Sequence, residues 1–191
     1  LENGGIELNV KKFIDLLPGA SMIPEAILEK LASELEGQIR KLTDGFLEDA
    51  ELALNRYASA KPDYYGEVVV LRNGTALYAS LRDALVRLTK DNRLIDLLVL
   101  THGGKDSIAL NGDTSVSGAD IRAIRAHNDG KPIRLRAVYM MNCEGSSLNR
   151  AWIDLGAKAS VGSVGTNYLP EPTTFFFFQN WKNGQPFAEA A

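Results

Sequence analysis

A chain of 191 residues, 45% hydrophobic and 24% charged, is long enough for one α/β domain with a sizeable core plus an appendage. Its formal net charge of −3 leaves no basic footprint for nucleic acid or an acidic membrane surface, and no apolar run approaches the roughly 20 residues that span a bilayer. The single cysteine, Cys143, excludes an internal disulfide and a zinc cluster of cysteines, and only two histidines, His102 and His127, accompany it.

The chain starts at Leu1 without a signal-peptide pattern, as expected of a fragment or a processed form, and the compartment is left open. From Pro24 to Ala58 apolar residues recur at Ile27, Leu31, Leu35, Ile39, Leu42 and Phe46, the spacing of one helix face. Pro24 suits a first helical turn, and Gly37 and Gly45 are the weak points. Residues 1–60 are therefore expected to form a helical segment, with Ser59–Gly66 as the linker to a second unit over 61–191.

In that second unit strand and helix patterns alternate. Glu67–Leu71 (EVVVL) reads as a first strand, and Ser80 with Asp83 reads as the cap of a helix whose stripe is Leu81, Ala84, Leu85 and Leu88. Asp96–Thr101 is the next strand, followed by a short hairpin over Ile108–Val116 around Asn111-Gly112-Asp113. Ser117 with Asp120 caps another helix that stops near Gly130. Leu135–Met141 is a third core strand. Ser146 or Ser147 starts a helix with Leu148, Ala151, Trp152 and Leu155 on one face, closed by Gly156, and Ala159–Val164 is a fourth strand. Strands separated by helices of this length imply a parallel sheet with right-handed crossovers. The run Phe175–Phe178, after Pro172 and Thr173, is expected to open a buried helix.

In an open parallel sheet, ligands bind outside the carboxyl ends of the strands. His102 and Cys143 both fall at such ends, in "VLTHGG" and "MMNCEGSS", separated by room for a hairpin and a crossover helix. An imidazole beside a thiol can take its proton and later protonate a leaving amine. A cysteine just before a helix also gains from the positive end of the helix dipole, although Glu144, its neighbour, opposes a thiolate. The N–H groups of Gly103 and Cys143 are candidates for an oxyanion hole. Singly, a cysteine is more often a small buried hydrophobe and a histidine a satisfied structural group. Their joint placement at neighbouring strand ends favours chemistry. His127, near the polar end of a helix, reads as a solvated or charge-partner residue.

An apolar strand ending in His-Gly, then a second ending in Cys and small residues, resembles the caspase-like cysteine peptidases of clan CD. That group includes caspases, legumain, gingipains, separase and the bacterial CHAT-domain proteins. "VLTHGG" resembles the histidine motif and "VYMMNCEGSS" the cysteine motif. "AWIDLGAKASVGSVG" resembles the helix and strand that follow the nucleophile, and "FFFFQNWKNGQPFAEAA" the terminal helices, closest to the CHAT type. The resemblance covers about residues 66–191. It implies a three-layer α/β domain, a mostly parallel sheet flanked by helices, preceded here by the helical segment 1–60. It further implies a cysteine endopeptidase with His102 as general base and acid, Cys143 as nucleophile and Gly103 as oxyanion partner. No metal or cofactor is implied.

In such enzymes the residue two before the nucleophile, here Met141, helps form the pocket for the substrate side chain preceding the scissile bond. The end of the first strand, here Arg72, contributes too, and Glu144 and Glu171 are the carboxylates able to enter it. The expected partners are a protein or peptide substrate and a regulatory protein docking on residues 1–60, not nucleic acid or membrane. A catalytically silent caspase-like scaffold that binds partners is the alternative. A nucleotide-binding doubly wound domain is disfavoured, because no G-x-G-x-x-G or Walker pattern follows a strand.

Overall fold

Two apolar runs, Ile95–Thr101 and Leu135–Met140, become the central strands of this chain, and amphipathic runs beside them become helices. The computed structural model describes residues 2–3, 24, 26, 27, 29, 30, 33, 34, 65–111, 114–167 and 173–191. Most of the expected helical segment 1–60, the first part of the linker, the Gly112-Asp113 turn and Glu171 lie outside the described residues. In chain order the elements are Glu2–Asn3 (β1), Tyr78–Lys90 (α1), Ile95–Thr101 (β2), Gly103–Gly104 (β3), Ser107–Ala109 (β4) and Ser115–Ser117 (β5). There follow Gly118–Ala123 (α2), Leu135–Met140 (β6), Asn149–Leu155 (α3), Ala159–Gly162 (β7), Thr173–Lys182 (α4) and Phe187–Ala190 (α5).

The main sheet is parallel, with β2, β6 and β7 side by side and the two-residue β1 on the free edge of β2. Both β2 and β6 are apolar nearly throughout, as strands covered on both faces must be. Successive side chains go to opposite sides, and the two core clusters show which helices cover which side. Val99, Val138 and Met140 pack with Leu81 and Leu85 of α1, Ile121 of α2 and Ala151, Trp152 and Leu155 of α3. Leu98, Tyr139 and Val161 pack instead with Phe177 and Trp181 of α4 and with Phe187 and Ala190 of α5. Helices therefore flank the sheet on both faces, a three-layer α/β arrangement. Among the described residues no helix is long and apolar enough to cross a membrane.

Several local expectations hold. Ser117 Oγ accepts from the Asp120 N–H at 3.3 Å while the Asp120 carboxylate accepts from the Ser117 N–H at 2.9 Å, a capping box. α2 then tightens into a 3₁₀ turn over Ile124–Asn128. The hairpin after Ile108 forms as β4 against β5. Leu148, Ala151, Trp152 and Leu155 are all buried.

Three expectations need correction. α1 begins at Tyr78 rather than at Ser80, because a 3₁₀ turn over Asn73–Thr75 delivers the chain to an extended Leu77, whose carbonyl accepts from the Leu81 N–H. Ser80 lies inside the first turn. Glu67–Leu71 is not a strand of the sheet: Val68, Val69 and Val70 are exposed, and side chains hold the neighbourhood instead, Glu67 pairing with Arg87 and Tyr65 donating to Asp96. The phenylalanine run is only half buried. α4 turns Phe177 and Phe178 inward onto Tyr139, whereas Phe175 and Phe176 face outward, since four consecutive residues on a helix cannot share one face.

Candidate active site

The site is set by register. β2 and β6 pair with Leu97 opposite Val138, Leu98 opposite Tyr139 and Val99 opposite Met140. The pairing runs on past Met140, because the Met141 N–H donates to the Val99 carbonyl at 2.9 Å. The same interval that separates Val99 from Met140 separates His102 from Cys143. His102 directly follows β2, and Cys143 lies in the turn just after β6, so both fall at the carboxyl ends of adjacent strands. His102 and Cys143 are both partly exposed.

The glycines after His102 form a second, smaller sheet. β3 pairs antiparallel with β4 through Gly103 opposite Ile108 and Gly104 opposite Ser107, and β4 pairs with β5. The Ala109 N–H donates to the His102 carbonyl at 2.8 Å, so residues 102 and 109 form a hydrogen-bonded pair. Opposed pairs alternate in an antiparallel ladder. Gly103 is then a non-bonded position, with its N–H directed away from β4. The Cys143 N–H likewise takes no partner among the described residues. These are the two donors expected of an oxyanion hole, and the Cys143 N–H is unspent among the described residues.

The turn carrying Cys143 is tightly held. Glu144 adopts the left-handed region at φ 51° and is exposed. Its N–H donates to the Gly165 carbonyl at 2.9 Å, and its carbonyl accepts from Ser147 through both N–H and Oγ. The Ser147 Oγ also accepts from the Asp106 N–H at 2.8 Å, which ties the cysteine turn to the β3–β4 turn. A 3₁₀ turn over Gly145–Leu148 follows, and α3 begins only at Asn149. The dipole assistance expected of a helix directly after Cys143 is therefore weaker, because the effect fades within a helix's first turn.

Two asparagines complete the site without a sequence signal. The Cys143 Sγ lies between the peptide groups of Asn167: the Asn167 N–H donates to it at 3.3 Å, and the thiol donates to the Asn167 carbonyl at 3.5 Å. The Asn167 Nδ2 donates to the Met141 carbonyl at 3.1 Å and approaches its Sδ at 3.5 Å. Asn142 is buried next to the cysteine, with its Nδ2 donating to the Cys143 carbonyl at 3.1 Å. The Asn142 carbonyl accepts from the Gly145 N–H and from Ser163 Oγ. An asparagine in a sequence signals a turn as readily as a site, so neither stood out.

Of the expected pocket residues, Met141 is half-buried beside the thiol turn, and its side chain packs into the Tyr139–Phe177 cluster. Glu144 is adjacent to Cys143 and exposed. Arg72 is not at the end of a sheet strand: it precedes the 3₁₀ turn, where its N–H donates to Thr75 Oγ1 and its carbonyl accepts from it. Without a strand over Glu67–Leu71, nothing places Arg72 at the strand ends beside Cys143. His127 is exposed, and its charge helps Arg82 to hold the Asp83 carboxyl below its ordinary range, Arg82 contributing more through a hydrogen bond. Among the described residues no cluster of His, Cys, Asp or Glu is arranged to hold a metal ion. Compared with known proteins, the chain matches no family model, and no curated protein or solved structure matches it significantly.

Proposed function

We propose that this protein is a caspase-like cysteine endopeptidase acting through Cys143 and His102. The observation that supports the reading is that β2 and β6 pair side by side, with His102 just past the end of one and Cys143 in the turn just past the end of the other. The Gly103 N–H, directed away from β4, and the Cys143 N–H, without a partner among the described residues, add to it.

His102 takes the thiol proton, and the Cys143 sulfur forms a bond to the carbonyl carbon of the substrate peptide. The electron pair of the C=O bond moves to oxygen, where the two N–H donors receive it. When the carbonyl re-forms, the C–N bond breaks and the imidazolium gives its proton to the leaving amine. A thioester remains on Cys143. Water deprotonated by His102 attacks it, expelling the thiolate and the carboxylic product. This cycle needs no cofactor or metal. Met141 offers an apolar wall for the side chain preceding the scissile bond, and residues 1–60 are the segment through which a regulatory protein would act.

A silent scaffold is the second reading, and the bracketing of Sγ by Asn167 is the observation in its favour. Labelling with a peptidyl acyloxymethylketone separates the two. Covalent modification of Cys143, lost in Cys143→Ala and strongly slowed in His102→Ala, is expected of the peptidase. An unlabelled thiol, or proteolysis that persists in Cys143→Ala, would sink it.

A further inference from the structure

Asn142 is buried to 1% exposure at the junction of the two strand ends, yet its amide is only half used. Nδ2 donates to the Cys143 carbonyl, while Oδ1 has no hydrogen-bond partner among the described residues. An idle buried acceptor is costly, and an apolar side chain of the same size would avoid that cost. The surroundings point to what the amide does there. A Cβ placed on Gly103 would come within 2.7 Å of Asn142 Nδ2, and one placed on Gly145 within 2.9 Å of Oδ1. The carboxamide thus fills the gap between the backbone after His102 and the backbone after Cys143. Its own main chain is held as well, the carbonyl accepting from Ser163 beyond β7 and from Gly145.

We infer that Asn142 is a positioning residue, which spaces Gly103 from Gly145 and clamps the Cys143 carbonyl so that the sulfur and the free Cys143 N–H keep a fixed height relative to His102 and Gly103. The inference rests on the peptidase reading and deepens it. Asn142 acts through Cys143 rather than on the substrate, so its loss reaches turnover and leaves substrate binding alone.

Two probes of Cys143 in the full chain test this. Iodoacetamide needs an accessible thiolate but no oxyanion donors. A peptidyl acyloxymethylketone also needs sulfur, imidazole and oxyanion donors in register. In Asn142→Leu the second rate is expected to fall about 100-fold, and the first to stay within about threefold, the scale of a misplacement near 1 Å. On a cleaved peptide, kcat falls with KM unchanged. Asn142→Ala, which removes the donor and the spacer together, should behave alike and stands in if the leucine variant does not fold. Wild-type rates with both probes overturn the inference. So does an equal fall with both, which marks collapse of the site. If the wild-type chain cleaves no peptide while acyloxymethylketone labelling still depends on Asn142, the peptidase reading falls and the positioning role stands. A wild-type Cys143 that the acyloxymethylketone never labels overturns both.

Discussion

Gly103 and Gly104 are neighbours in the same two-residue strand, and the structure separates their tolerance to a single added methyl. A Cβ at Gly103 would lie 2.6 Å from the Ser107 carbonyl oxygen, 2.7 Å from Asn142 Nδ2 and 3.0 Å from Asn142 Cβ. The first is backbone of the hairpin partner and the others belong to a buried side chain, so none can move without disturbing the ladder or the cysteine turn. A Cβ at Gly104 would meet only Ser107 Oγ, at an ordinary 3.9 Å. Neither glycine has a positive φ, so backbone strain does not distinguish them. Overpacking of this kind costs roughly 1–3 kcal/mol, partly offset by about 0.4–1 kcal/mol from the stiffer unfolded chain. At about 2–4 °C per kcal/mol for a chain of this length, Gly103→Ala is expected to lower Tm by several degrees. Gly104→Ala should leave Tm unchanged or slightly raised. Thermal unfolding followed by circular dichroism, with urea midpoints as a check, decides it. Equal shifts for the two variants would refute the packing described for Gly103, and with it the close approach of Asn142.

His102→Ala should slow peptide cleavage by about 10²–10⁴, the usual worth of general acid–base help, while His127→Ala stays near the wild-type rate; equal losses would show the roles to be misassigned. Trp152→Ala should cost about 3–5 kcal/mol in denaturant unfolding, because the indole is fully buried against β6 and its N–H donates to Met140 Sδ; a loss under about 1 kcal/mol would contradict that burial. Asp120 is held below the ordinary carboxylate range by hydrogen bonds from the Ser117 side chain and backbone. A depressed carboxylate stabilises the fold above its unfolded value, and that contribution is lost as pH falls through the folded one; Asp120→Asn should therefore lose stability at neutral pH and converge with the wild type well below about pH 4, and a constant gap across that window counts against it. In a peptide library scanned at the residue before the scissile bond, Lys and Arg should not dominate, because Met141 offers no charge to pair with them and a buried unpaired cation is costly. A dominant basic preference defeats this, and charge reversal at Glu144 or Glu171 would then find the carboxylate responsible.

Much of the framework was legible from local pattern alone. Ile95–Thr101 and Leu135–Met140 carry enough consecutive aliphatic side chains to demand cover on both faces, so their strand character and central place follow whatever surrounds them. Ser117 and Asp120 satisfy each other within one turn, so that cap needs no distant partner. The pairing of strand end with His102 and strand end with Cys143 was equally local, since each lies just past an apolar run. What depended on distant residues was hidden. EVVVL has strong β propensity, but a strand exists only where a partner offers a ladder, and its valines are exposed instead. Gly103-Gly104 has poor propensity and is a strand because Ser107 and Ile108 fold back on it. Asn142 and Asn167 became part of the candidate site only when β2, β6 and the segment after β7 came together, because a side-chain amide carries no periodicity and takes its role from whichever groups lie within about 3 Å. Sequence determines which segments must be buried, and tertiary contact decides which polar groups meet once they are.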